Sequence, residues 1–474
     1  SGNAALPRLR LSRATIAAAT SWVNPTINDG AHGARAVCNW DEDAVTLAVE
    51  AARHCVADAL RFGSTPQALR IASTTLPFAD RDHGALIATA LDLPATTATR
   101  EYAGSLRAGV GALVDAAMQG RCDVVIASDV RPVKPAGPLE LKLGAGAAAL
   151  LIASPPMSDR ALALVRGAGR VSADFVDHYR GKSALTDYVL EERWVRDEGW
   201  LRFPQQACAA ALADAGIAAE QVRHLVLPGA EGIVRKIAGQ IGCPAAQLAD
   251  NLHGDCGDTG AAHPLLMLLA HLPKTRPGDW ILLGGFAQGC EAVVLQAGDA
   301  VRSMPDVATR ALARRTDENN YLRYLSHAGL IDIDFGMRAE RDQRTAHSVA
   351  WRKHRAVTAF VGGRCDHCGT VQYPASRACV APHCRRIGTQ REYRLAESSG
   401  RVKTFTEDWQ AFSPRPPYVY GNIEFAEGGN LLMELTDIGP GELAVGDRVR
   451  FVFRIKDIDR QRGFRRYCWK AVKD

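Results

Sequence analysis

The chain has 474 residues, of which 47% are hydrophobic and 23% charged, and a formal net charge of +5. That length exceeds one ordinary domain, and the composition is that of a globular protein able to bury a sizeable core. So small a positive excess makes no electrostatic case for nucleic acid as a partner. No apolar run approaches the roughly 18 residues that cross a membrane, and the opening residues lack a signal-peptide pattern, so a cytoplasmic location without membrane association is expected. Ser1-Gly2, with no methionine, reads as the remnant of a cleaved tag.

Trp40-Asp41-Glu42-Asp43 precedes a helical pattern over residues 44–62, for which Asn39 or Asp41 is the expected N-cap. A strand pattern at 69–73 and a helical one around 84–91 follow. An apolar, threonine-rich run at 94–99 then enters Tyr102-Ala103-Gly104-Ser105-Leu106-Arg107-Ala108-Gly109-Val110-Gly111. A helical pattern with Leu113, Val114 and Ala117 on one face leaves it. Strand, glycine turn and helix in that order hold one side chain at a helix N-terminus, where backbone N–H groups stabilise developing negative charge.

Residues 123–129 and 144–152 are continuous apolar runs, the mark of strands covered on both faces, so the fold class is α/β. After an insertion at about 155–200 the order recurs: a strand at 222–227, a helix at 231–240, a loop at 251–257, a helix at 259–271, and strands at 280–283 and 291–296. A pseudo-duplicated pair of halves, 1–155 and 156–300, is expected. Residues 301–355 form an arginine-rich, partly helical connector with Arg310, Arg314, Arg315, Arg323, Arg338, Arg341, Arg344, Arg352 and Arg355. These arginines are expected on a solvated face.

Four of the twelve cysteines cluster as Cys365-x-x-Cys368 and Cys379-x-x-x-x-Cys384. Two knuckles at this spacing supply four thiolates to one tetrahedral Zn²⁺, with no open position, so the metal is structural. His367 and His383 lie within the knuckles but outside that ligand set. Short β patterns at 402–406, 418–425, 430–435, 448–455 and 465–472, with glycine turns, suit a small β-barrel. A zinc ribbon at 356–395 and an OB-fold at 396–474 are expected.

The elbow Leu106-Arg107-Ala108-Gly109, the glycine-alanine run starting Gly144-Ala145-Gly146, and Asp174-Phe175-Val176-Asp177-His178-Tyr179-Arg180 carry a resemblance. So do Gly257-Asp258-Thr259-Gly260-Ala261-Ala262 and Gly278-Asp279-Trp280 through Gly284-Gly285-Phe286. In order and spacing they resemble the hydroxymethylglutaryl-CoA synthase and ketoacyl synthase III branch of the thiolase superfamily. The zinc ribbon followed by an OB-fold resembles accessory subunits of thiolase-like acyl-CoA enzymes. The resemblance implies a five-layer thiolase-like fold, a homodimer, and an acyl-CoA substrate with coenzyme A as part of it.

It also implies catalytic positions that this chain fills differently. Leu106 stands where the family has its nucleophilic cysteine, Pro228-Gly229-Ala230-Glu231 where it has a histidine, and Thr74 where the synthase branch has a glutamate. The family's asparagine becomes Asp258, either a helix cap or a proton acceptor whose pKa an apolar cleft would raise. His253 is its candidate partner, and Ser105 is either a cap or a replacement nucleophile. Backbone donors around Leu106 and Gly109, and around Gly285 and Phe286, are candidates to hold the thioester. The expected activity is carbon–carbon bond cleavage or formation on an acyl-CoA without a cysteine acyl-enzyme, as an aldol or retro-aldol step on a 3-hydroxyacyl-CoA. The alternatives are a Claisen-type thiolase or acyltransferase acting on a 3-oxoacyl-CoA, with Cys256 as a possible nucleophile, and a non-catalytic acyl-CoA-binding scaffold.

Overall fold

The computed structural model describes residues 1–153, 160–189, 191–339 and 346–474, so Arg341 and Arg344 of the expected connector lie outside the described residues. Two compact units result: Ser1–Cys38, Asp43–Gly84 and Thr96–Leu330 form the first, and Asn39–Glu42, Ala85–Ala95 and Ile331–Asp474 the second. No helix among the described residues is long and apolar enough to cross a membrane.

The first unit holds two five-stranded sheets. One contains β1 (Gly2–Ala5), β2 (Ala68–Ala72), β3 (Ala98–Tyr102), β4 (Asp123–Val130) and β5 (Ala145–Ile152), in the order β1-β5-β4-β2-β3. The other contains β6 (Ala163–Ser172), β7 (Val222–Val226), β8 (Gln247–Leu248), β9 (Trp280–Phe286) and β10 (Gly289–Ala297), in the order β6-β10-β9-β7-β8. In each, the pairs at one end are antiparallel and those at the other parallel. The same order and directions, read from two stretches of chain, are one topology used twice.

Two strands differ from expectation. Gly2, set aside as a tag remnant, pairs with Leu150 in β1, and the Ser1 carbonyl accepts from Leu151 N at 2.8 Å. A four-residue edge strand is too short for its pattern to be legible. β3 lies later than the run at 94–99, because its parallel register with β2 runs from Ala68↔Ala98 to Ala72↔Tyr102. It carries Arg100 and Glu101, side chains that an edge strand tolerates and that hide it from a hydrophobicity reading.

Helices cover both sheets and fill the space between them. α1 (Ala44–Arg61) packs on β1, β4 and β5, and α3 (Phe203–Ala215) packs on β6 and β10. α2 (Ala108–Gln119) and α5 (His263–His271) each contact both sheets, with Val110, Leu113 and Val114 meeting Leu265, Leu266 and Leu269 in one core. α5 is buried along its whole length, which explains a sequence that is apolar on every side. α4 (Glu231–Ile241) covers the far side of α3 and β8. The cap of α1 is Asp43 rather than Asn39 or Asp41: its Oδ1 accepts from Val45 N at 3.0 Å and Thr46 N at 3.1 Å, and Thr46 Oγ1 accepts from Asp43 N.

In the second unit, β11 (Val361–Cys365), β12 (Val371–Gln372) and β13 (Gln390–Arg394) form a three-stranded sheet. β14 (Gly400–Asp408), β15 (Tyr418–Phe425), β16 (Asn430–Glu434), β17 (Arg448–Asp459) and β18 (Phe464–Lys473) form an antiparallel sheet in the order β16-β15-β14-β17-β18. The expected closed barrel is not seen. No ladder joins β16 to β18 among the described residues; a single bridge, Leu435↔Ala471, connects that side.

Asp41, one of the two expected caps, and its neighbour Glu42 are buried against this sheet instead. Lys470 Nζ meets Asp41 Oδ2 at 3.0 Å, and Arg454 Nη2 meets Glu42 Oε1 at 2.9 Å and Asp437 Oδ2 at 2.8 Å. Of the described connector arginines, Arg310, Arg314, Arg315, Arg338 and Arg352 are exposed as expected, and two half-exposed ones are ion-paired. Arg323 is paired with Glu318 at 2.7 Å in the first unit, and Arg355 with Asp92 and Glu392 in the second.

α2 starts in close contact with the loop ahead of α5. A Cβ on Gly109 would lie 2.2 Å from the Ala261 carbonyl oxygen, and both are backbone-fixed. Gly109→Ala is expected to destabilise the protein by about 1–3 kcal/mol, read as a lower urea midpoint, with the variant still folded at neutral pH.

Candidate active site

One buried carboxylate gathers the ends of β2 and β4. Asp129 Oδ1 accepts from Thr74 N at 2.7 Å, Thr75 Oγ1 at 2.9 Å and Ser73 Oγ at 3.1 Å. Its Oδ2 accepts from Ala261 N at 2.8 Å, which ties in the turn ahead of α5. Burial raises the Asp129 pKa, and the Ala261, Thr74 and Thr75 donors counter it only in part.

Asp258 lies on the same turn. Its Oδ1 accepts from Gly260 N at 2.8 Å, so it does cap the turn, and its Oδ2 stands 3.6 Å from Arg131 Nη1. Burial pushes its pKa up, but His263, Arg131, His253 and the Gly260 N–H outweigh that, leaving the carboxyl below its usual range. The raised value expected for an apolar cleft is therefore corrected: the cleft is cationic on that side. Arg131 also binds Asp187 at 3.0 Å, and Arg180 joins Asp187 at 2.5 Å and the Thr74 carbonyl. A line of ion pairs thus runs from Thr74 to Asp258.

His253 and Asp258 do come together, through a third residue. The His253 and His263 rings are 4.9 Å apart, and the His263 Nε2 lies 2.8 Å from the Asn251 carbonyl, which fixes it as the donor. Burial, then His263, pushes the His253 pKa down to about 4, so its ring is neutral at pH 7, and its buried Nε2 has no hydrogen-bond partner.

Ser105 is not joined to this group by any recorded contact. Its hydroxyl donates to the Ala287 carbonyl at 2.9 Å, in the β9–β10 turn. Arg107 holds the elbow to β10 through Glu291 at 2.9 Å. Gly104, at φ +82°, makes the turn, and a Cβ on Gly285 would meet Val110 at 3.0 Å, so the glycine strand lies directly against the elbow helix. Phe286 is taken up in an aromatic cluster, 4.4 Å from Trp200 between ring centres. Leu106 is partly buried. Cys256 is fully buried, donates to the Leu252 carbonyl, and is pushed up to about 12 by that burial; Cys290 is likewise raised. Neither offers a thiolate at neutral pH.

In the second unit, the Cys365, Cys368, Cys379 and Cys384 sulfurs all lie within 4.8 Å of one another. The spacings of 3.8 Å for Cys365–Cys384 and 3.5 Å for Cys368–Cys379 match the edges of a tetrahedron of sulfurs about 2.3 Å from a zinc ion. Thr389 bonds the Cys365 sulfur at 3.1 Å and Thr370 that of Cys368 at 3.3 Å, supporting ligands with hydrogen bonds as metal thiolates require. Bound there, Zn²⁺ would be structural, with all four positions filled by this chain.

Residues 352–386 match the family model "ChsH2, rubredoxin-like zinc ribbon domain", and residues 393–454 match "ChsH2, C-terminal OB-fold domain". A DUF35 domain-containing scaffold protein of Methanocaldococcus jannaschii is 32% identical over 133 residues, 27% of this chain and 91% of that protein. The hydroxymethylglutaryl-CoA synthase of Methanocella arvoryzae is 24% identical over 315 residues, 63% of this chain and 88% of that protein. Among solved structures, MvaS in complex with 3-hydroxy-3-methylglutaryl coenzyme A aligns with a TM-score of 0.58 at 19% identity, over 69% of this chain and 90% of that one. The C-terminal part of the chain belongs to the DUF35 family, and the part before it has a thiolase-like α/β core fold.

The thiolase-like unit owes its site to several residues that sequence reasoning passed over. Asp129 ends a buried strand beside the polar run Ser73-Thr74-Thr75, a signal that was present but silent about which strands are neighbours. Arg131, Asp187, His263 and the adjacent Asp177 and His178 come from separate stretches, and nothing local marks them as partners.

Two outcomes follow from these environments. Chelation of zinc with a high-affinity chelator, or Cys365→Ala, should release about one equivalent of metal per chain and unfold the ribbon, read by metal analysis and by proteolysis within 352–395. His253 takes up its proton in the unfolded chain near pH 6.5 but in the folded one only near pH 4. Its folded-state stability is present above the unfolded value and lost as pH falls through that window, at a cost of roughly 2–3 kcal/mol. His271 is held to about 4 as well. The urea midpoint should therefore fall between pH 6.5 and pH 4, and His253→Gln should remove about half of the slope.

Proposed function

We propose that this chain acts on an acyl-CoA thioester by condensation chemistry, making or breaking the carbon–carbon bond between C2 and C3 of the acyl group. The likeness to MvaS solved with 3-hydroxy-3-methylglutaryl coenzyme A, over 90% of that chain, carries the reading. The synthases among its relatives favour the Claisen-type form, on a 3-oxoacyl-CoA, over the aldol form. Elbow amides from Leu106 to Gly109, with the Gly285–Phe286 backbone, hold the thioester oxygen. Asp258, paired with His253, handles a proton on the opposite side. Ser105 is committed to the Ala287 carbonyl and serves the elbow's shape before any nucleophilic role.

With every described cysteine near the family motifs buried as a thiol, the Claisen form uses free CoA directly. The CoA thiol loses its proton to the site base and attacks the 3-oxo carbon. The C2–C3 bond breaks, its electron pair forms the enolate of the shorter acyl-CoA, and a proton returns to C2. The aldol form is the second reading, favoured by leucine at position 106: the base takes the 3-hydroxyl proton, C2–C3 breaks to a carbonyl and the same enolate, and no free CoA is consumed. A five-layer arrangement, a homodimer, and domain limits near residues 155, 300, 355 and 395 belong to the same proposal.

Product analysis with matched 3-oxoacyl-CoA and 3-hydroxyacyl-CoA series, with and without free CoA, tests it. One CoA consumed per bond broken is the expected Claisen result, and none consumed assigns the aldol form. Asp258→Asn should lower turnover by roughly 10²–10⁴-fold. An acyl adduct on any cysteine by intact-protein mass spectrometry overturns the cysteine-free mechanism, and tight acyl-CoA binding with no bond cleavage makes the chain a scaffold.

A further inference from the structure

Carbon–carbon chemistry at an acyl-CoA needs two proton transfers: one at the carbon beside the thioester, and one at the departing or arriving oxygen or sulfur. Asp258 is a carboxylate that the surrounding cations hold ionised, and His253 is a sealed, neutral ring. The pair lacks a group that both takes and returns a proton with ease near neutral pH.

Asp177 and His178 form a hydrogen-bonded dyad in the same unit. His178 Nδ1 lies 2.6 Å from Asp177 Oδ2, and the other carboxylate oxygen accepts from Gln288 N at 3.1 Å. Both side chains are largely buried, at 12% and 9% exposure, so the hydrogen bond acts in a poorly screened setting. The carboxylate takes Nδ1–H and so presents Nε2 as the free acceptor, the tautomer and orientation of a general base. Among the described residues Nε2 has no hydrogen-bond partner, yet it is not among the sealed polar atoms.

The dyad is also tied to the candidate site from both ends. Gln288, which fixes Asp177, follows Ala287, whose carbonyl receives the Ser105 hydroxyl of the elbow. Arg180, two residues beyond His178, binds the Thr74 carbonyl and Asp187, and Asp187 leads through Arg131 to Asp258. One nitrogen of the His178 ring is anchored by Asp177 and the other is left open.

We propose that His178 is the proton carrier at the carbon next to the thioester, oriented by Asp177 as a positioning residue. This rests on the acyl-CoA reading above. Nε2 takes the proton from C2, the C–H electron pair moves onto the thioester oxygen to give the enolate, and the imidazolium then returns a proton to C2. The exchange is balanced and needs no other reactant.

Deuterium incorporation at C2 of acetyl-CoA and butyryl-CoA in D₂O, followed by mass spectrometry, tests the assignment. The wild-type chain should exchange, and His178→Gln should slow exchange by roughly 10²-fold or more while CoA affinity stays within about twofold. Added imidazole should restore part of the rate to His178→Ala, which a structural role would not allow. Thermal melts identify a misfolded Ala variant, in which case the Gln variant carries the test. Exchange at the wild-type rate in His178→Gln overturns the assignment alone. No exchange with either thioester in the wild-type chain overturns the acyl-CoA reading itself, and with it this inference.

Discussion

The Asp129 carboxylate is the constraint on which the first unit's site depends. β4 runs past the end of its parallel partner β2, whose last pair is Ala72↔Ala127, and the residues after β2, Ser73 to Thr75, need partners for backbone and hydroxyl groups that this ladder no longer supplies. One buried carboxylate takes donors from the end of β2 and from the turn ahead of α5. Its position also leaves no room for a side chain at Gly260, where a Cβ would fall 2.4 Å from Asp129 Oδ2. The turn that presents Asp258 is thereby fixed against the sheet, and the glycine contacts at Gly109 and Gly285 place the elbow helix beside it. Short backbone approaches fix the elbow and the turn, and the arginine side chains of Arg107, Arg131 and Arg180 tie in the rest.

Charge then decides what that geometry can do. Against the burial that raises it, His263, Arg131 and the Gly260 N–H leave Asp258 below its usual range, while burial keeps His253 neutral and Cys256 and Cys290 protonated. A leucine in the elbow turns a strand–turn–helix built for a nucleophile into one that offers only backbone donors.

The second unit solves a different problem. Its small sheets bury a core around Phe425, Phe451 and Phe453, and much of what remains is polar. Four thiolates at metal-binding distance and a buried cluster of Asp41, Glu42, Asp437, Arg454 and Lys470 supply fixed points instead. Burying charges is costly unless each finds a partner, so such a cluster specifies one arrangement more than it adds stability.

The sequence by itself determined the α/β class, the repeated order of elements, the five strands of the C-terminal sheet to within a few residues, and the four cysteines. Each of these is written in local periodicity or fixed spacing, which a single stretch of chain carries in full. It also displayed Leu106 in place of a nucleophile. Only the tertiary structure decided that Asp43 and not Asp41 caps α1, that the C-terminal sheet stays open, that Asp258 lies below its usual range, and that Asp177 joins His178 to the Gln288 amide. These depend on which distant residues become neighbours. Hydrogen-bond partners and electric fields act through space, and their sources here, Arg131, His263, Gln288 and Lys470, sit up to hundreds of residues from the groups they govern.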